Sequence, residues 1–345
     1  MQPSSHGGWL RRALGCVSVA LALSVAGCAS PTPSVTADSA DALPSWRDGG
    51  AKRTIVKFVA DVTREGSPAF VPPAERIAVF DNDGTLWSEQ PLYFQLFFML
   101  DQVRAAAPKH PEWKNNPAFK ALMANDDAAL ASQEKQLMQL VAVANSGMTV
   151  DQYDATIRDW LASARHPKFR RPYTDLVYQP QLELLAYLRA NGFKTFIVSG
   201  GTIEFMRPWA GKAYGIPPEQ VIGSSQVVQY QVVNGQPALI RQPKIDFIDD
   251  GPGKPVGIYR HIGRKPILAF GNSDGDLQML EYTASGSGPH LALLVHHDDA
   301  GREFAYDRQS KIGTLNKAWD QALADGWTVV SMKDDWKTIY PVPKQ

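Results

Sequence analysis

The run Arg76-Ile77-Ala78-Val79-Phe80-Asp81-Asn82-Asp83-Gly84-Thr85-Leu86-Trp87 constrains this chain more than any other. Ile77 to Phe80 is a short apolar stretch of strand character that stops at an acidic, glycine-containing turn. In a parallel sheet the carboxyl ends of the strands are where ligands are handled. Two carboxylates one residue apart, Asp81 and Asp83, repel each other there unless something positive lies between them. Oxygen-only ligands of this kind suit a hard divalent cation such as Mg²⁺. One carboxylate is then placed to attack phosphorus while its neighbour exchanges protons. Asp-Asn-Asp-Gly is equally good chemistry for a solvated turn after a strand. The tetrapeptide alone leaves both readings open, and the rest of the chain has to decide.

The first residues stand apart from any fold. Arg11-Arg12 precede an apolar segment, Ala13 to Ala26, too short to span a bilayer comfortably and placed like the core of a signal peptide. It ends Leu23-Ser24-Val25-Ala26-Gly27-Cys28, which resembles the lipobox of bacterial lipoproteins, where the cysteine becomes an acylated N-terminus. A plain secretory signal cleaved near Ala29 is the alternative. On the lipoprotein reading residues 1–27 are removed and Cys28 is lipidated, so the membrane is a partner through that anchor. Cys16 leaves with the signal, and no disulfide is expected. Ala29 and Ser30 lack the aspartate associated with inner-membrane retention, which favours a periplasm-facing place on the outer membrane of the cell envelope. Residues 28–48, rich in Ser, Pro, Ala, Thr and Asp, have the composition of a flexible tether.

The remainder is an ordinary globular sequence. With 345 residues, 44% apolar and 20% charged, it can bury a sizeable core. Lys and Arg number 35, as do Asp and Glu, and no long basic block asks for nucleic acid as a partner. A helix is expected over Arg53 to Val62. From residue 92 to 171 the patterning is helical, with Leu92, Leu96, Phe97 and Leu100 at helical spacing. Thr149-Val150-Asp151-Gln152 reads as a capping box opening a helix through Trp160. This block is expected to be an all-helical cap inserted into a core built from residues 49–91 and 172–345. From Tyr173 onward helices and strands alternate. A helix over Gln181 to Ala190 precedes the strand Lys194 to Val198 and the polar run Ser199-Gly200-Gly201-Thr202. Asn234-Gly235 marks a hairpin. A helix from Lys254 to Ile262 leads to the strand Pro266 to Phe270, and Leu291 to Val295 is read as the last strong strand. The alternation predicts an α/β chain with a doubly wound parallel sheet.

Three strand ends therefore carry polar residues that suit a single chemistry. Asp81 and Asp83 come first, then Ser199, then Asn272 to Asp276, with Lys254 opening the helix before the third. In this order FDNDGT, VSGG, GKPVGI and FGNSDGD resemble the four motifs of the haloacid dehalogenase (HAD) superfamily. The match spans residues 76 to about 281. The position of the helical insert resembles the phosphoserine-phosphatase-like branch with its C1 cap. The resemblance implies a HAD-like Rossmannoid core and a Mg²⁺-dependent phosphomonoesterase acting on a small phosphorylated substrate. Asp81 would be the nucleophile that forms an aspartyl-phosphate, and Asp83 would protonate the leaving oxygen and then activate water. Ser199 would hold the phosphoryl oxygens and Lys254 would neutralise them, with Lys244 as a competitor for that part. Thr85, Gly200, Gly201, Glu89 and Arg207 are the candidate substrate contacts, with Arg170 and Arg171 as further anion candidates. Trp87, Tyr93 and Phe94 are read as packing of the cap hinge.

The metal set departs from the family pattern. Asp81, Asp83, Asn272 and Asp276 are the candidate ligands, but Asn272 stands where the fourth motif usually begins with a metal-binding aspartate. Either Asn272 ligates through its oxygen, or Asp274 or Asp276 takes over, and a weaker site than an all-aspartate one is expected. His296-His297-Asp298-Asp299 is read as a loop lining the mouth rather than as a second metal site. Two rivals remain at this stage: a phosphotransferase of the same fold, and a catalytically weak lipoprotein binding module.

Overall fold

β1 (Ile77–Phe80) is buried along its whole length, the pattern of a central parallel strand covered on both faces. The computed structural model describes residues 41–342, apart from the side chains of Asp127, Ala128, Ala131 and Glu134. β1 pairs in parallel with β2 (Lys194–Thr202) on one side and β5 (Leu268–Gly271) on the other. β3 (Val221–Val233) continues the parallel sheet beyond β2, and β6 (Leu291–Asp298) continues it beyond β5. β4 (Gln236–Phe247) returns antiparallel to β3, with Asn234 and Gly235 both at positive φ in the connecting turn, as a twisted two-residue hairpin requires. The order across the sheet is β4-β3-β2-β1-β5-β6-β7, with β7 being Ala305–Tyr306 and β8 (Thr328–Ser331) pairing in parallel with β6.

Alternation along β1 divides the core. Ala78 and Phe80 point into one apolar cluster with α1 (Gly50–Thr63), α7 (Gln179–Ala190) and α8 (Ile203–Tyr214). Ile77 and Val79 point into another, built on Ile258 of α9 (Gly253–His261), Met279 and Leu280 of α10 (Leu277–Ala284) and Ala318 and Ala322 of α11 (Lys317–Asp325). Helices thus cover both faces, and the strand ends of β1, β2 and β5 converge at one edge.

Between β1 and α7 the chain is helical: α2 (Phe94–Ala106), α3 (Pro117–Ala124), α4 (Asp127–Ser132), α5 (Glu134–Ala144) and α6 (Val150–Ser163). Thr149 and Gln152 form the reciprocal capping box at the start of α6. Leu100, Val103, Trp113, Phe119, Leu122, Leu140 and Val141 make a core for the insert itself. Phe94, Phe98, Tyr153, Ile157 and Trp160 belong instead to the main core, which ties the insert down at its base.

Two readings of the sequence need correcting here. Leu43 and Trp46 are buried, and Trp46 donates its indole N–H to the Pro180 carbonyl at 2.9 Å, so the body begins by Leu43, inside the stretch 28–48 assigned to a tether. Leu291 to Val295 is not the last strand either. β8 follows, then α12 (Met332–Asp335), and Val330, Met332 and Trp336 are buried in the main core. A four-residue strand is too short to show periodicity. The leader, Cys28 and the rest of the tether lie outside the described residues, among which no helix is long and apolar enough to cross a membrane.

Candidate active site

The floor of the site is a buried ammonium shared by two carboxylates. Lys254, at the start of α9, donates from Nζ to Asp81 Oδ1 at 2.6 Å, to Asp276 Oδ1 at 2.6 Å and to the Val198 carbonyl at 2.9 Å. All three of its hydrogens are thereby used. Burial alone would lower the Lys254 pKa, but Asp276 and Asp81 hold it above its usual value. Burial and the adjacent Asp276 charge push Asp81 well up, against the pull of Lys254. The second oxygen of Asp276 accepts the backbone N–H groups of Asn272 and Ser273 at 2.9 and 3.0 Å.

Asp83 lies two residues after Asp81 and is half-buried. Its Oδ1 accepts the indole N–H of Trp87 at 2.7 Å, and Trp87 is itself fixed by stacking on Trp209 with ring centroids 4.3 Å apart. Burial raises the Asp83 pKa to about 6, with the Trp87 hydrogen bond and Lys254 holding it back. A carboxyl poised there can both give and take a proton near neutrality. Ser199, at the end of β2, accepts the Gly201 N–H at 3.1 Å.

Asp81, Asp83, Ser199, Gly200, Gly201 and Lys254 line one cavity of about 880 Å³. Its far wall is apolar: Leu96 and Met99 from α2, Met138 and Val141 from α5, and Pro243, Ile245 and Ile248 from β4 and the turn after it. The insert is latched to the second strand end through Gln95, which donates to the Thr202 hydroxyl at 2.9 Å and accepts its backbone N–H at 2.8 Å. A smaller pocket of about 330 Å³, beside Ala284, His290 and Trp327, shares none of these residues.

The charge balance favours a cation. Asp81 and Asp276 contact Lys254 while Asp83 and Glu89 line the same cavity, an excess of negative over positive groups that costs energy unless it is compensated. Among the described residues no three acidic, histidine or cysteine side chains converge on one point. Carboxylates alone therefore do not complete a ligand set. Asp81, Asp83 and the Asn272 side-chain oxygen together offer hard oxygen donors, and this set fits Mg²⁺.

Several predicted contacts are placed elsewhere. Asp276 serves as the anchor of Lys254 through Oδ1. Asp274 cannot take over, because its Oδ1 accepts the N–H groups of Asn316 and Ala318 and so caps the start of α11. Thr85 is fully buried and donates to Asn272 Oδ1 at 3.0 Å, so it steadies that amide rather than touching substrate. Arg207 turns outward to the carbonyls of Pro218 and Val221. Arg171 likewise binds the Pro341 carbonyl. Lys244 lines the cavity wall but makes no contact with Asp81. Glu89 lines the cavity too, yet its Oε1 accepts from Asn272 Nδ2 and from the Tyr306 hydroxyl, each at 2.8 Å. These contacts tie it to Asn272 as well as to the cavity.

Sequence reasoning missed the supports. His297 lies in β6 rather than in a loop, and its Nε2 donates to the Gly84 carbonyl at 2.8 Å, bracing the first motif from beneath. Tyr214 donates to Asn82 Oδ1 at 3.0 Å from the end of α8. Nothing in the local sequence marks Gln95 or Tyr306, because each acts across a long separation.

None of the curated proteins compared matches the chain. Among solved structures, a conserved protein of unknown function from Anaerococcus prevotii DSM 20548 superposes with a TM-score of 0.53 at 16% identity, covering 81% of this chain and 91% of that one. A protein of unknown function from Bordetella pertussis Tohama I gives a TM-score of 0.47 at 16% identity, with 74% and 98% covered. A phosphoserine phosphohydrolase-like protein from Francisella tularensis subsp. tularensis SCHU S4 gives 0.35 at 16% identity, with 64% and 87% covered. The first of these shows a shared fold. The family model for haloacid dehalogenase-like hydrolases matches residues 78–281, more than half of the chain, from within β1 into α10. Because that span takes in Asp81, Ser199, Lys254 and Asp276, the residues that meet at the floor of the cavity, the chain belongs to the haloacid dehalogenase-like hydrolase family.

Proposed function

We propose that the protein is a Mg²⁺-dependent phosphomonoesterase. The observation that carries this reading is the grip of Lys254 on Asp81 Oδ1, which fixes the carboxylate while its other oxygen, with no hydrogen-bond partner among the described residues, faces the cavity. Asp81 attacks phosphorus and forms an O–P bond as the bond to the leaving oxygen breaks, and Asp83 gives that oxygen its proton. Water then attacks the aspartyl-phosphate and passes a proton to Asp83. The O–P bond to Asp81 breaks, and inorganic phosphate leaves. Ser199 and the Gly200-Gly201 backbone hold the phosphoryl oxygens, and Lys254 contributes its charge from beneath through Asp81, so catalysis rests on placed charge and in-line geometry. Asp81, Asp83 and Asn272 would hold Mg²⁺, and its charge would offset that of the phosphoryl group.

The leaving group lies against the apolar wall. Leu96, Met99, Met138, Val141 and Ile245 make this wall apolar, which suits an ester with an apolar body, while Lys244, Asp250 and Gln226 supply polar groups elsewhere on the lining. The test is hydrolysis of p-nitrophenyl phosphate by the full-length protein, abolished by EDTA and restored by Mg²⁺, followed by a series of alkyl phosphates against phosphoserine. Hydrolysis that survives Asp81→Asn would overturn the mechanism. A preference for phosphoserine would overturn the reading of the chamber. The leader and Cys28 support a further proposal, that a lipid holds the enzyme at the cell envelope, which radiolabelled palmitate incorporation in wild type and Cys28→Ala would test.

A further inference from the structure

Asn272 is a neutral group at a place where the site needs charge. An amide oxygen binds a divalent cation more weakly than a carboxylate does. Its nitrogen, however, points at Glu89 Oε1 at 2.8 Å. The orientation of the amide follows from its partners: Glu89 as a carboxylate can only accept, and the Thr85 hydroxyl donates to the other end at 3.0 Å. Glu89 Oε1 also accepts from Tyr306. Its remaining oxygen has no hydrogen-bond partner among the described residues, and the side chain is buried without a cationic partner.

The surrounding backbone is shaped around this pair. Gly84 has φ +77°, and a Cβ there would lie 2.1 Å from Asn272 Nδ2 and 2.4 Å from Glu89 Oε1. Gly313 has φ +65°, and a Cβ there would lie 1.9 Å from Glu89 Oε1. Two segments far apart in sequence therefore leave out a side chain at the one carboxylate. An aspartate at position 272 would set two carboxylates in contact across the same 2.8 Å gap, which explains why the residue facing Glu89 is an amide.

We propose that Glu89 is a positioning residue of the cation site: it supplies the negative charge that Asn272 lacks, acting through the Asn272 amide. Accepting from Nδ2 fixes the amide with Oδ1 beside the Thr85 hydroxyl and polarises it, so that its oxygen becomes a better ligand. A carboxylate one hydrogen bond behind a ligand commonly governs metal affinity in this way. The inference rests on reading the cavity floor as a cation-assisted phosphatase site, but its test needs no substrate.

Mn²⁺ binding to the full-length protein, followed by electron paramagnetic resonance and checked with Mg²⁺ by calorimetry, reads the proposal directly. Glu89→Gln should weaken Mn²⁺ at least about 10-fold. Tyr306→Phe, which removes a hydrogen bond but leaves the Glu89 charge and its contact with Asn272 in place, should stay within about 3-fold. The deciding variant is Glu89→Gln with Asn272→Asp. It moves the carboxylate to position 272 and reverses the direction of the 2.8 Å hydrogen bond. Affinity should return to within about 3-fold of wild type, because the pair again carries one carboxylate and one amide. Wild-type affinity in Glu89→Gln overturns the proposal, and so does failure of the folded double variant to recover. Thermal melting in EDTA shows which variants are folded. If Mn²⁺ affinity follows this pattern while p-nitrophenyl phosphate is not hydrolysed, the inference stands and the phosphatase reading falls.

Discussion

Lys254→Met tests whether the floor of the site is held together by one shared charge. Methionine keeps most of the buried stem, so the substitution removes the ammonium and opens little space. It leaves Asp81 Oδ1, Asp276 Oδ1 and the Val198 carbonyl without the donor that now reaches each within 2.9 Å. Removing one partner of a buried ion pair costs about 3–5 kcal/mol. An orphaned buried carbonyl alone costs about 1–3 kcal/mol, which argues for the upper end of that range. Against a total stability of roughly 5–15 kcal/mol, that is a large fraction. In a chain of this size each kcal/mol lowers Tm by about 2 °C, so a fall of about 6–10 °C is expected at pH 8 in EDTA. Adding Asp276→Asn should recover about 1–2 kcal/mol, because it removes one of two facing like charges and brings an N–H donor beside Asp81. The asparagine oxygen can still accept the Asn272 and Ser273 N–H groups. The assay is thermal and urea unfolding of full-length wild type and both variants. A single variant within about 2 °C of wild type, or a double variant less stable than the single, would refute the shared-charge account.

Two further outcomes follow from the same geometry. Asp83→Asn keeps an oxygen for the Trp87 indole and so should fold normally, but it should slow alkyl phosphates about 10²–10⁴-fold and p-nitrophenyl phosphate far less in the first step, because nitrophenolate leaves without a proton; equal losses in rapid-mixing kinetics would move Asp83 out of proton transfer. Gly84→Ala should cost more than the roughly 1–2 kcal/mol of a left-handed backbone, since its Cβ would also collide with Asn272 and Glu89, and should weaken Mn²⁺ binding; an unchanged Tm and affinity would contradict the close approach.

What could be read from the sequence was local. Ile77 to Phe80, the capping box at Thr149 and Gln152, the Asn234-Gly235 turn and Lys254 at a helix start each declare themselves within a few residues. Their order along the chain then fixes which strand ends meet, because parallel β-α units wind with one hand. The direction of individual side chains was not legible. Arg207 is the right residue type near the right strand, but the face of α8 on which it falls sends its guanidinium to Pro218 and Val221. Asp274 looked like a ligand because the helix it caps, α11, begins 43 residues later and gives no signal at the fourth motif. The Glu89–Asn272 contact spans 183 residues, the His297–Gly84 contact 213 and the Gln95–Thr202 contacts 107. Contacts at such separations are products of the finished fold, and hydrophobic period carries no information about them.

Asp249 shows how the fold keeps Lys254 committed to Asp81 and Asp276. It is fully buried behind the site, with its own N–H donated to Ser224 Oγ at 3.0 Å and its carboxyl packed against Gly257, where a Cβ would lie 2.2 Å from Oδ1. Neither carboxyl oxygen has a hydrogen-bond partner among the described residues. Burial pushes its pKa from 3.8 up to about 7, Lys254 and the Ser199 backbone offsetting this only in part while Asp250 adds to it. The folded protein therefore binds more protons than the unfolded chain between those two values, and the contribution of Asp249 to stability falls as pH rises through about 7. A difference of that size corresponds to about 4 kcal/mol lost between pH 4 and pH 8. Asp249→Asn carries no such dependence, so variant minus wild-type stability should rise with pH over that window, with the sign favouring the variant above pH 7. Urea unfolding at half-unit pH steps measures it, and groups common to both proteins cancel in the difference. A difference that stays flat would mean that Asp249 is already ionised at pH 5. Lys254 would then have a third carboxylate to neutralise, and its hold on Asp81 would be weaker than the 2.6 Å contact implies.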